Sequence, residues 1–295
     1  MPLLLFLEQT LNGLQFGVTL FLMAAGLTLV LGIMNMVNLA HGAFYMLGAY
    51  FAATLVPITG NFLVSIVLAL AGAAAVGLLT ELVALRALYS RDHLDQVLAT
   101  FGLILFFREL VKILWGPIAI FMDVPALFSG RVEIVPGAPY PVYRLVVLAV
   151  GVGVGGFLWW LITRTRLGML IRAGASNREM VGALGVDIKL LYTLVFALGC
   201  ALAALAGMMA GPLYVFDIGM GDDILIKTFV VIVIGGIGSV HGAFVAAIIV
   251  GMVDTFGRIL PSQFGLSATL AEISIYVLMA AVLFWKPRGL FPAAG

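Results

Sequence analysis

Apolar residues occupy most of this chain in long runs, broken by short polar or glycine-rich stretches. Nine runs stand out, at residues 11–34, 42–57, 62–85, 95–115, 142–163, 190–210, 226–238, 242–259 and 269–285. A helix crossing the hydrocarbon core of a bilayer needs about 20 apolar residues. Helices are the expected solution, because lipid offers nothing to an unpaired backbone N–H or C=O. The pattern predicts an all-α integral membrane protein, a polytopic helical bundle of about eight to nine transmembrane segments. The second, seventh and eighth runs are short for a full span, and short, glycine-interrupted segments predict broken or re-entrant helices.

Composition agrees. Of the 295 residues, 63% are hydrophobic and 10% charged, against about 25% charged in soluble domains. Mean hydropathy is +1.21. A net charge of +1 gives no pull toward nucleic acid. The single cysteine, Cys200, excludes a disulfide framework or a cysteine-based metal cluster within the chain. A cleavable signal peptide starts with basic residues; Met1–Thr10 has none, so the first apolar run is expected to persist. There is no GxxxxGK[ST] phosphate-binding loop. Any use of ATP therefore needs a partner, and the chain itself is expected to hold no cofactor. Residues 1–295 read as one transmembrane domain without a soluble appendage.

Basic residues orient the segments. The stretch Arg164–Lys189 carries five (Arg164, Arg166, Arg172, Arg178, Lys189) against two acids, Glu179 and Asp187. Arg86 and Arg91 flank the third link, and Lys286 and Arg288 the C-terminus. Counting crossings puts all three regions on the cytoplasmic side and the N-terminus outside. Gly116–Pro141, with five prolines, is then an outer loop.

Three stretches interrupt the apolar pattern in ways that bear on function. The first is Gly32–Tyr45, GIMNMVNLAHGAFY, where Asn35, Asn38 and His41 sit among apolar residues. Asparagine is poor inside a helix and good as an N-cap, so one helix should end near Asn35–His41 and another begin at about Gly42. Placed mid-membrane, that helix start offers N–H groups and partial positive charge to a carboxylate. Placed at the cytoplasmic interface, the same asparagines merely cap. His41 serves either as a proton carrier or as a hydrogen-bonded structural residue.

The second stretch is Ile234–Phe244, IGGIGSVHGAF. Gly235, Gly236 and Gly238 depress helix propensity and permit sharp turns, and Ser239 is placed to cap the next helix. Either a broken helix faces a translocation path, or two helices meet in a tight turn; three glycines and a serine exceed what a plain turn needs. HGAF occurs at both His41–Phe44 and His241–Phe244, a short repeat compatible with internal duplication.

The third is the cytoplasmic stretch 164–189, long enough for two short helices. Leu167, Leu170, Ile171, Val181, Leu184 and Val186 alternate with charged and small residues. Such a segment docks into a groove on a soluble partner or lies on the membrane surface with its arginines toward headgroups.

Charges inside apolar runs are costly. Asp254 and Arg258 are spaced to pair on one helix face, Glu81 is within reach of Arg86, and Arg108, Glu109 and Lys112 can snorkel near a helix end. Asp254 and Glu272 are the candidates for a buried polar role. Gly151 and Gly155, spaced GxxxG, favour close helix packing.

On these motifs the chain resembles the branched-chain amino-acid ABC transporter permeases, specifically the shorter of their two paired types. NGLQFGVTLFLMAAGLTLVLGIMNMVNLAHGAFYMLGAY resembles the family's opening, Glu81 and Arg86 its E-x4-R, RAGASNREMVGALGVD its coupling loop, GGIGSVHGAF its GGxGS signature and WKPRGLF its C-terminal P-x-GLF. Five motifs in order over the full length carry the resemblance. His241 departs from it, standing where the family often has proline. So does Ala43, where many relatives carry an acid.

The resemblance implies an importer subunit working by alternating access in the bacterial inner membrane. Its partners would be a second homologous permease, two cytoplasmic ATPases that hold ATP and Mg, and a periplasmic substrate-binding protein. It places Arg172, Ala173, Asn177, Glu179, Ala183 and Gly185 at the ATPase contact. Asn35, Asn38, His41, Gly42, Tyr45, Gly235, Gly236, Gly238 and Ser239 are the candidates for lining the solute path. No covalent chemistry is expected. An ion-coupled secondary transporter is the alternative, although three histidines and few acids offer it little. An intramembrane enzyme would need a third ligand or nucleophile beside His41 and His241, and none is evident.

Overall fold

The computed structural model describes residues 3–89, 91–135, 137–263 and 269–292. Each of the nine apolar runs is helical: α1 (Leu3–Met34), α2 (His41–Thr59), α3 (Phe62–Thr80), α4 (His93–Trp115), α5 (Val142–Arg164), α7 (Ile188–Ala210), α8 (Met220–Gly235), α9 (Val240–Gln263) and α10 (Thr269–Trp285). One more helix, α6 (Arg166–Ala183), fills the polar stretch between α5 and α7. By length and apolarity, α1, α2, α3, α5, α7 and α9 can each cross a membrane.

Helix ends fall where side chains satisfy the free backbone groups. Asn61 Oδ1 accepts from the N–H groups of Leu63 and Val64 at 3.0 and 3.2 Å and starts α3. Asp187 Oδ1 does the same for Lys189 and Leu190 at α7, at 2.9 and 3.1 Å. Two boundaries differ from the apolar pattern. α1 begins at Leu3 rather than 11, and its 32 residues span roughly 48 Å at 1.5 Å per residue. Glu8, Gln9 and Asn12 mask its first turns in a hydropathy reading. α8 begins at Met220 rather than 226, because Asp222 and Asp223 occupy its first turn, where the helix dipole favours acids.

The helices surround α1. Its most apolar stretch is 89% buried, against 22% for α5 on the periphery. α1 packs most extensively on α9 and α7, with α5 and α8 completing its sleeve. Contact is close because glycines lie at the crossings. A Cβ on Gly17 or Gly251 would strike the facing backbone of α9 or α1, and one on Gly48 or Gly207 would strike α7 or α2. Gly151 of the GxxxG pair packs on Val18 and Gly155 on Phe21, as the spacing predicts.

The Gly116–Pro141 loop holds an antiparallel hairpin, β1 (Arg131–Val135) and β2 (Ala138–Pro141), pairing Arg131 with Pro141 and Val132 with Tyr140. The prolines hid it from sequence. An isolated bridge between Ile120 and Phe216 ties this loop to the segment after α7. The hairpin marks one end of the bundle and α6 the other.

The glycine crossings are testable by overpacking, which costs about 1–3 kcal/mol or more in a filled core. Gly48→Leu should abolish the monodisperse detergent-solubilised species or lower its melting midpoint by several degrees. Gly153→Leu, where a Cβ meets nothing within 4 Å, should leave both unchanged.

Candidate functional site

The α1–α2 interruption is asymmetric. Asn35 ends α1 by taking a left-handed conformation, φ 50°, its N–H reaching the Leu31 carbonyl at 3.1 Å. Asparagine tolerates that conformation better than other side chains. Asn35 is exposed, whereas Asn38 and His41 are fully buried. Asn38 Oδ1 accepts from Ala40 N–H at 3.1 Å and sets up the first turn of α2.

His41 Nε2 lies 3.3 Å from the Met23 carbonyl. Met23 is 11 residues (34 minus 23) before the end of α1, roughly 16 Å along the axis. α2 therefore starts inside the bundle and not at the level where α1 ends. This selects the buried break over the interfacial cap. Gly42 meets Gly221 in the first turn of α8, glycine to glycine, so two helix starts face each other inside the protein. Tyr45 is buried one turn further on, its carbonyl against Gly207. With Nε2 donating to a carbonyl, His41 carries its lone pair on Nδ1. That atom and Asn38 Nδ2 have no protein partner among the described residues.

Gly235–Ser239 forms the link between α8 and α9. Gly236 and Gly238 take φ 104° and 81°, which a side chain would strain. Ser239 Oγ accepts from Gly242 N–H at 3.0 Å and caps α9. The C-terminal segment covers the turn: Leu290 and Phe291 donate to the carbonyls of Ile234 and Gly235 at 2.8 and 3.0 Å. Gly238 also packs on Gly32 of α1, close to Asn35. The two interruptions are neighbours at the α6 end. The two HGAF copies open α2 and α9, but in different settings. His41 is buried and bonded, and His241 is exposed and edge-on to Phe291.

α6 is two pieces meeting at Asn177, whose backbone is non-helical and whose Oδ1 caps the second piece through Met180 N–H at 2.9 Å. Ile171, Gly174 and Val181 are buried against the bundle. Arg172, Asn177, Glu179, Ala183 and Gly185 face outward, and Ala173 is half-buried. Met180 and Leu184 are 58% and 77% exposed beside them, an apolar patch inside a charged surface.

Below α6 lies a network that sequence only half revealed. Glu81 is fully buried at the start of a π-helical turn, Glu81–Leu85. Arg86 binds both of its oxygens, at 3.3 and 3.4 Å. Tyr89 donates to Oε1 at 2.5 Å, and Thr193 in the second turn of α7 donates to Oε2 at 2.8 Å. Burial, and then the bond to Glu81, push the Tyr89 phenol well above its ordinary value. Asp254 binds Arg258 through two bonds, 2.8 and 3.2 Å, as the spacing predicts. It also holds Lys227 at 3.4 Å, a partner that helical spacing does not reveal, although a lysine in an apolar run is itself a signal. Arg108 reaches Asp222 at 3.0 Å, a partner that spacing does not reveal. Glu272 is exposed. No group of three metal-ligating side chains occurs among the described residues.

Residues 9–283 match the family model described as branched-chain amino acid transport system / permease component. The chain is 31% identical to the high-affinity branched-chain amino acid transport system permease protein BraD of Pseudomonas aeruginosa, covering 97% of this chain and 95% of that one. To LivH of Escherichia coli, of the same description, it is 30% identical over 97% and 96%. Among solved structures, PsaBC of Streptococcus pneumoniae, determined in complex with a Fab, superposes with a TM-score of 0.50 at 14% identity, over 94% of this chain and 91% of that one. That likeness is one of fold.

The Glu81 network predicts a graded response. Glu81→Ala strands a half-buried arginine and two hydroxyls, at about 1–3 kcal/mol for unsatisfied polar groups. It should lower the thermal midpoint in detergent by several degrees. Glu81→Gln, which keeps one acceptor, should lose less.

Proposed function

The chain belongs to the branched-chain amino acid transport permease family, and from that premise we propose that it is the membrane subunit of an ATP-driven importer for branched-chain aliphatic amino acids. In this reading it sits in the bacterial inner membrane with its N-terminus periplasmic and its C-terminus and α6 cytoplasmic. It pairs with a second homologous permease, receives solute from a periplasmic binding protein and is driven by two ATPase subunits that hold ATP and Mg. The relatives' descriptions name branched-chain amino acid transport, which supports the substrate class.

The observation that carries the reading is α6. It projects Met180 and Leu184 into solvent among Arg172, Asn177 and Glu179. Its opposite face is anchored through Ile171 and Val181. These apolar groups point away from the bundle beside the charged ones, and in this reading a groove on a soluble partner covers them. Movement delivered to α6 reaches the helices directly. Gly174 packs on Ile33 of α1 and on Leu191 of α7, and the Glu81 network joins the start of α7 to the end of α3.

The solute path in this reading runs past the start of α2. Asn38 Nδ2 and His41 Nδ1 are buried polar atoms awaiting partners, and such atoms are rare where nothing meets them. The glycine contact with the start of α8 adds a second helix dipole of the same sign. The Gly235–Ser239 turn enters at the cytoplasmic mouth.

Two experiments test this. In a pull-down from native membranes in mild detergent, wild type should retain a nucleotide-binding subunit and Glu179→Arg should lose most of it. A wild type that brings down no ATPase sends the assignment to a secondary transporter. For the path, Asn38→Leu should cut leucine uptake at least tenfold at unchanged membrane abundance, with Ser239→Ala giving a smaller loss. If both leave uptake and substrate range unchanged, the path lies elsewhere.

A further inference from the structure

Beneath the hairpin, at the opposite end from α6, a half-open cavity of about 480 Å³ lies between α1, α5, α8 and α9. Its walls are polar for a membrane interior. Arg144, Lys227 and Arg258 line it with one acid, Asp254. Exposed Glu8 and Glu272 are not among the lining residues but interact electrostatically with Tyr140 and Arg258. Asp254 is 4% exposed and is spent on Arg258 and Lys227.

The donors are not spent. Arg258 gives Asp254 its Nε and one Nη2 proton, which leaves three of five N–H groups for something else. Lys227 uses one of three protons on Asp254, with its ammonium 5.2 Å from the centre of the Phe16 ring. Arg144 is held by Asn12, which also accepts from Tyr140 of β2 at 3.0 Å. The cation cluster is thus fixed to the hairpin from above. Phe16 and Ile259 supply an apolar wall beside it. Lys227 is 22% exposed and Arg258 46%, and their unused N–H groups are placed to make charge-assisted bonds to an anion. The volume falls in the ordinary range for small-molecule sites, roughly 300–1,000 Å³.

We propose that this cavity is a recognition subsite for a small carboxylate, an aliphatic α-amino acid, with the carboxylate held by Lys227, Arg258 and Arg144 and the aliphatic group against Phe16. The proposal deepens the transport reading and rests on it for the solute, but not for the charge chemistry. It places a selective station at the end of the bundle away from α6, before the α2 start. A ligand lacking the carboxylate leaves those N–H donors without their acceptor and is rejected. An anionic lipid headgroup offers the same oxyanion, so the test separates the two.

The full chain, with whatever subunits co-purify, is placed in phosphatidylcholine nanodiscs. Its thermal midpoint is followed by tryptophan fluorescence against L-leucine, 4-methylpentanoate and L-leucinamide. Leucine and 4-methylpentanoate should stabilise it saturably and leucinamide should not. Lys227→Gln should weaken the apparent affinity for leucine at least tenfold, and Arg144→Gln serves the same purpose if the first variant does not fold. Absence of carboxylate protection, or protection unchanged in both variants, overturns the proposal. So does stabilisation by phosphatidylglycerol that abolishes the leucine response and is lost in Lys227→Gln, since the site then belongs to lipid. Leucine uptake measured in parallel separates the two readings. Uptake retained without carboxylate binding sinks the cavity alone. Carboxylate binding through Lys227 without uptake sinks the transport assignment and leaves the cavity standing.

Discussion

An interrupted helix inside a bilayer exposes N–H and C=O groups that lipid cannot satisfy. The break between α1 and α2 is such an interruption, and the need to bury it shapes the rest of the architecture. His41 bonds to Met23 deep in α1, so the start of α2 must be walled by protein on every side. α7 and α8 provide the walls, and they come near enough only because Gly42, Gly48, Gly207 and Gly221 stand where the backbones touch. The same need makes α1 the axis. Helices that meet lipid, such as α5, carry the exposed aromatic and aliphatic surface instead, including Trp159 and Trp160.

Much of this was legible because hydrophobic length and glycine spacing are local properties. The nine runs became nine helices. Asn35 and Asn38 announced the break through their poor fit inside a helix, and the GxxxG of α5 announced its packing on α1. Depth was not legible. Whether Asn38 caps at the interface or inside the bundle depends on where Met23 lies, 18 residues before His41 in the chain, and no spacing rule encodes that. Long-range polar partners were hidden for the same reason. Thr193 joins Glu81 across 112 residues, and Arg108 finds Asp222 across 114, whereas the i,i+4 pair of Asp254 and Arg258 needed only helical geometry. The hairpin escaped because its strands are short and carry prolines at their ends.

The polar groups are partitioned along the axis. Toward α6, the Glu81 cluster is closed: both carboxylate oxygens have partners, and those partners come from the turns that follow α3 and from α7. Such a closed cluster makes elements move as one body, because separating them would strand a buried charge. Toward the hairpin, the Asp254 cluster is open, with cations outnumbering the acid and a cavity beside them. A rigid joint at one end and a cavity with spare donors at the other fit the transport reading proposed above.

The centre joins the two. α1 contacts α6 through Ile33 and Gly174 at one end, and lines the cavity with Asn12 and Phe16 at the other. Partway along, its Met23 carbonyl holds His41. A displacement of α6 that shifts α1 relative to α2 must strain that bond, since it ties the two helices together at their shared depth. Breaking it exposes Met23 O and both ring nitrogens of His41 together with Asn38 Nδ2. The buried break is then most polar at the moment α1 moves. In the proposed path, a zwitterion that leaves the cavity beneath the hairpin meets those groups gathered at one level, where they replace the hydrogen bonds it gives up.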